Sequence, residues 1–157
     1  MKKRIDWKIV VFSFLIVFAV AFIGSLFTSS NTDTEWYNSI KPEITPPNWV
    51  FPIVWNILFI LIALSLYFAW INSQTKKDKR NIIMAFGINF ILNIFWSILY
   101  FGLKNPFLAF IEIFFLWVSI VLMTYVVFNI NRKAGYLLIP YLLWVSFAVV
   151  LNYLSVF

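Results

Sequence analysis

Five apolar runs, each about 20 residues or slightly longer, divide the chain at roughly residues 7–27, 49–71, 81–101, 106–128 and 134–157. No other feature restricts the fold as strongly. At about 1.5 Å rise per residue, such a run crosses a hydrocarbon layer of about 30 Å as a single α-helix. A transmembrane β-strand would alternate apolar and polar residues over about 10 positions, whereas these runs are apolar on every side. Charged residues make up only 11% of the chain and hydrophobic ones 63%, against about 25% charged in an ordinary soluble domain. Too few polar groups exist to clothe a water-facing surface, so lipid must be the solvent. The expectation is an all-α integral membrane protein, with residues 1–157 forming a single five-helix transmembrane domain without internal repeat.

Charge placement orients the bundle. Lys2, Lys3, Arg4 and Lys8 flank the first run, Lys76, Lys77, Lys79 and Arg80 the second connection, and Arg132 and Lys133 the fourth. The opposite side holds only Lys41 and Lys104, with Asp33, Glu35 and Glu43. The positive-inside rule then puts the N-terminus inside and the C-terminus outside. The net charge of +6 is thus a membrane-orientation signal, and no nucleic-acid partner is expected. The first run is longer than the 7–15-residue core of a signal peptide and no small-residue cleavage site follows, so it is read as a retained span.

The chain contains neither Cys nor His. Disulfides, thiolate nucleophiles, Ser–His catalysis, zinc sites and histidine-ligated haem are all excluded. Chemistry must come from aromatic, amide and carboxyl groups.

The stretch KPEITPPNWVFPIVW, residues 41–55, holds four of the chain's six prolines and two of its eight tryptophans. It ends the longest outer connection, roughly residues 28–48. Pro46 and Pro47 fix their φ angles and lack N–H donors, so they end one helix and suit the start of the next. Such a stiff segment, preceded by Glu35, Trp36 and Tyr37, either folds over the outer mouth of the bundle or is an ordinary interfacial aromatic belt.

Helical spacing sorts the candidate site residues. Asn89, Asn93, Trp96 and Tyr100 fall on one face of the third span. Tyr141, Trp144, Ala148 and Asn152 do so in the fifth, and Phe51, Trp55 and Phe59 in the second. Amides in a membrane turn towards protein or water, so three aromatic stripes point at one interior. They either wall a pocket or glue the helices together. Glu112 is the one acid deep within a span, which makes it a functional candidate by default. It reads as a bundle-stabilising hydrogen-bond partner in preference to a proton relay.

WYNSIKPEITPPNWVFPIVW (residues 36–55) resembles the signature of the TspO/MBR family, the tryptophan-rich sensory proteins and translocator proteins, or peripheral benzodiazepine receptors. NFILNIFWSILYFG and PYLLWVSFAVVLNY resemble the family's third and fifth helices, in order and with compatible spacing. The resemblance implies a five-helix bundle, usually dimeric, with a ligand pocket open towards the first connecting loop. It implies a receptor for porphyrins and haem intermediates, with benzodiazepine-type drugs as further ligands. Trp55 and Trp144 match the tryptophans that flank the ligand, and Trp36 matches the loop tryptophan. Asn89, Asn93 and Trp96 match the third-helix wall, with Phe51 and Phe59 on the second-helix stripe. Ala148 matches the small residue where bulk would intrude, and Glu112 an acid of the fourth helix.

Two departures carry weight. Ile44 stands where the family often has an aromatic, and no Lys or Arg follows Tyr153, so animal-type cholesterol binding is not expected. The short C-terminus resembles bacterial members, hence a bacterial plasma membrane. No cofactor is required, porphyrin or haem being ligand, and the expected partners are tetrapyrroles, lipid and a second copy of the chain. Two other functions stay open: light-dependent porphyrin degradation with Trp55 and Trp144 as redox partners, and small-molecule transport using Glu112. Light-dependent turnover would mark the first, and flux dependent on a proton gradient the second.

Overall fold

The structure is a computed structural model describing residues 5–157. Lys2, Lys3 and Arg4, three of the orienting cations, lie outside the described residues. The elements are α1 (Trp7–Thr28), a short α2 (Glu35–Ile40), α3 (Val50–Asn72), α4 (Lys76–Ser97) extended by a π-helical turn at Ile98–Gly102, α5 (Pro106–Ile130), a short α6 (Arg132–Tyr136) and α7 (Ile139–Leu154). Among the described residues, five helical stretches are long and apolar enough to cross a membrane: α1, α3, Lys76–Gly102, α5 and Arg132–Leu154.

Local chemistry explains where they start and stop. Asp6 caps α1 by accepting from the amides of Lys8 and Ile9 at 3.1 and 3.3 Å. Thr75 and Asp78 form a reciprocal capping box at the start of α4. That box draws the basic residues 76–80 into the first turns of the helix, so α4 begins about five residues before the apolar run does, and they are not the loop expected from hydropathy. Asn105 caps α5 ahead of Pro106. The fifth span, expected to be continuous, breaks at Leu137 and Leu138. Pro140 has no N–H to give to Tyr136, and its ring would clash with that carbonyl in a straight helix.

Beyond Ile40, residues 41–49 form no helix, and Pro42, Pro46 and Pro47 fall there. Pro52 lies in the first turn of α3, where its missing N–H is no loss. The connection is tied across its ends. Asn48 Nδ2 donates to the Thr32 carbonyl at 3.1 Å and to Asp33 Oδ1 at 2.7 Å.

The bundle has a packed half and an open half. Ile62, Leu66, Phe86, Met123, Val127 and Leu138 are almost completely buried among α3, α4, α5 and the α6–α7 turn, at the end that carries Lys76 and Arg132. α5 is the central helix, the most deeply buried of the five spans. Phe12, Leu15, Ile91, Leu122 and Leu143 stay exposed, a solvation surface for lipid acyl chains. At the other end the helices stand apart beneath the proline-rich connection.

Ser30 and Ser73 follow α1 and α3 at opposite ends of the bundle. With residues 76–80 expected inside, single cysteines at these sites in intact cells should label with an impermeant thiol reagent at position 30 only. Labelling at position 73 alone would invert the orientation.

Candidate ligand-binding cavity

Two neighbouring asparagines on α4 and one tyrosine on α7 set the floor of the open half. Asn93 Nδ2 donates to the Tyr141 hydroxyl at 3.1 Å, and that hydroxyl donates to Asn89 Oδ1 at 3.3 Å. Asn89 Nδ2 in turn donates to Ser119 Oγ on α5 at 3.0 Å. All four side chains are buried, and the chain of bonds joins three helices. Nearer the loop end, Trp96 Nε1 donates to Asn152 Oδ1 at 3.0 Å, and Asn152 Nδ2 to the Pro106 carbonyl at 3.0 Å. Tyr100 and Ser155 share a 2.9 Å hydroxyl bond. The π-helical turn keeps Tyr100 and Phe101 directed inward; such turns often occur at functional sites.

Above this floor opens a cavity of about 800 Å³, within the usual range for small-molecule sites of about 300–1,000 Å³. Its walls come from the loop-end halves of α1, α3, α4, α5 and α7, and its roof from the connection, with Tyr37, Pro42, Thr45, Asn48 and Trp49. The rings hold one another in place. Trp55 lies 5.3 Å from Phe59 and 6.1 Å, edge on, from Tyr141, and Phe51 meets Trp144 edge on at 5.8 Å. Burial, and secondarily the neighbouring Tyr100, pushes the Tyr37 phenol up to about 12. The Tyr37 hydroxyl therefore stays neutral at physiological pH. Thr45 Oγ1 is buried in the roof and has no hydrogen-bond partner among the described residues.

Of the residues singled out from sequence, Phe51, Trp55, Phe59, Asn93, Trp96, Tyr100, Trp144, Ala148 and Asn152 line this cavity. Four do not: Trp36, Asn89, Glu112 and Tyr141, the last buried in the floor. Trp36 lies outside it, edge on to Tyr100 at 6.0 Å and beneath the Lys104 ammonium at 5.8 Å. Successive residues on a helix point about 100° apart, and on α2 the inward position belongs to Tyr37. Asn89 sits one turn below Asn93, and its amide is committed to Ser119 and Tyr141. Glu112 is buried, yet neither carboxyl oxygen has a hydrogen-bond partner. The expectation of a hydrogen-bonded acid is not met among the described residues: the carboxyl is buried within α5 and no donor reaches either oxygen. Sequence reasoning also missed the α1 wall, with Phe18, Phe22 and Ser25, and the roof residues Asp33 and Asn48. α1 is apolar all round and carries no stripe to read. Trp144 has a second exposure, to an apolar groove between α3 and α7 lined by Val54, Ile57, Pro140 and Phe147. Its indole therefore lies between cavity and groove.

Tyr141→Phe removes the shared hydroxyl and leaves buried amide groups unpaired. It should lower stability by about 1–3 kcal/mol, read as a lower melting temperature of the detergent-solubilised protein. Glu112→Leu removes a buried group with no partner and should leave stability unchanged or raise it. If ligand flux through the protein depended on this carboxyl, the same variant would abolish it in a proteoliposome assay.

The chain is similar in sequence to known proteins. The sequence profile of the TspO/MBR family matches residues 13–156. A tryptophan-rich protein TspO from Archaeoglobus fulgidus is 40% identical over 144 residues, covering 90% of each chain. One from Chlorobaculum tepidum is 38% identical over 136 residues, 86% of this chain and 85% of its own. The human translocator protein is 28% identical over 135 residues, 84% of this chain and 79% of its own. The five spans make this an integral multi-pass membrane protein, and its bacterial relatives fit a bacterial plasma membrane. Matched from its first span to its last, the chain belongs to the TspO/MBR family.

Proposed function

We propose that this protein is a membrane receptor for flat, largely apolar ring systems, tetrapyrroles foremost, with benzodiazepine-type ligands entering the same cavity. One observation carries the reading: about 800 Å³ of space walled by Trp55, Trp96, Trp144, Phe51 and Phe59. Indole and phenyl faces bury a planar macrocycle and stack on it. The hydroxyls and amides of Ser97, Asn93 and Asn152 give a few directional contacts within an otherwise apolar wall. The relatives' names, which include sensory and translocator proteins, support a receptor role.

A second reading shares the cavity. Trp55 and Trp144 both line it, so a porphyrin bound there would touch two oxidisable indoles, as light-dependent degradation requires. Transport through Glu112 is supported less, because that carboxyl does not line the cavity.

Tryptophan-fluorescence titration of the purified protein tests the receptor reading, with protoporphyrin IX, haem and cholesterol compared side by side. Saturable quenching is expected for the tetrapyrroles and not for the sterol. Trp55→Phe and Trp144→Phe should each weaken binding by about 0.5–1.5 kcal/mol, the worth of an aromatic contact. Under illumination, equal bleaching of bound protoporphyrin by wild type and the double variant would leave receptor function alone. Faster bleaching by wild type would establish the chemistry.

A further inference from the structure

Resting on the receptor reading above, we propose that Asp33 makes the cavity selective by charge, favouring uncharged or cationic flat ligands over those bearing carboxylates. Among the described residues that line the cavity, Asp33 is the only charged one. Its polar neighbours in the lining, including Ser25, Thr28, Thr45, Asn56 and Ser97, are all neutral. The two cations of this end do not line the cavity, although Lys41 rests on the roof residue Tyr37. Lys41 Nζ lies 5.7 Å from the Tyr37 ring centre and Lys104 Nζ 5.8 Å from that of Trp36, and neither lines the cavity.

The position of Asp33 is set by the fold. Asn48 Nδ2 donates to Asp33 Oδ1 at 2.7 Å and to the Thr32 carbonyl at 3.1 Å. This clasp holds the carboxylate at the mouth, where a ligand's polar end would rest once its rings lie among Trp55, Trp96 and Trp144. A carboxylate arriving there would lose water, find no ammonium or guanidinium in the lining, and face a like charge. A neutral ester or amide would lose less. A protonated amine would gain both the Asp33 charge and the negative faces of the aromatic walls. For tetrapyrroles, the preference runs towards forms whose acid side chains are esterified or removed.

Asp33 could instead serve only as the acceptor in the Asn48 clasp, and Asp33→Asn separates the two roles. The substitution keeps an oxygen for Asn48 Nδ2 while removing the charge. The full-length protein is titrated by tryptophan fluorescence with protoporphyrin IX, a diacid, and with its dimethyl ester. The comparison is wild type against variant for each compound, so that partition into detergent cancels. Asp33→Asn should tighten diacid binding about three- to tenfold, as expected for one like charge at a wet mouth. Ester binding and melting temperature should stay unchanged. The gain should shrink as salt rises from about 0.05 to about 0.5 M, because screening removes it.

If both compounds bind and Asp33→Asn changes neither, charge selection is overturned while the receptor reading stands. If Lys41→Gln or Lys104→Gln weakens the diacid selectively, the carboxylates use those cations and the proposal also fails. If neither compound binds saturably, the receptor reading itself falls and takes this one with it.

Discussion

The Tyr141 hydroxyl is the point on which the bundle's architecture turns. It accepts from Asn93 and donates to Asn89, and Asn89 passes the connection on to Ser119. In a bilayer no water can replace these bonds, so amides in the middle of a span must find each other. Satisfying them requires α4, α5 and α7 to meet at that level. The packed core of Ile62, Phe86, Met123 and Leu138 lies on one side of this layer and the cavity on the other.

Above the layer, the helices are held apart by rings. Trp55, Phe59, Phe51 and Trp144 prop one another at centroid distances of 5.3–6.1 Å, with Tyr141 beneath. Edge-to-face contacts leave faces unoccupied, and those faces are what a planar ligand would cover. The roof depends on different chemistry. The prolines of residues 41–52 restrict the chain's conformations, and Asn48 pins the segment back to Thr32 and Asp33. A short polar clasp thereby determines which side chains meet whatever enters.

The eight tryptophans, so prominent in the sequence, divide into distinct roles. Trp55, Trp96 and Trp144 face the cavity with Trp49 at its rim. Trp117 is a packing residue that donates to Ser146 Oγ at 2.8 Å. Trp70 sits under Lys79 at 5.5 Å, Trp36 sits under Lys104, and Trp7 is exposed at a helix end. Residue type alone does not distinguish these. Spacing along the helix does so for Trp55, Trp96 and Trp144, each of which shares a stripe with other aromatic or amide residues.

The five spans and most of the cavity's aromatic lining were legible in the order of residues alone. Hydrophobic runs of membrane length have one low-energy outcome in lipid, and helical periodicity puts Phe51, Trp55 and Phe59, or Trp144 and Ala148, on one face whatever they pack against. Tertiary structure decided what periodicity cannot. Asn89 and Asn93 occupy one stripe, yet one is consumed by helix packing and the other reaches the cavity, because the tier at which Ser119 and Tyr141 arrive is set by how α5 and α7 dock. Tyr37, not Trp36, faces inward because the rotation of α2 depends on contacts with the π-helical turn, remote in sequence. Glu112 is left without a partner, and Asp33 is held at the mouth, for the same reason. Both outcomes depend on which groups from distant segments converge, and hydrogen-bond partners across helices have no signature along the chain.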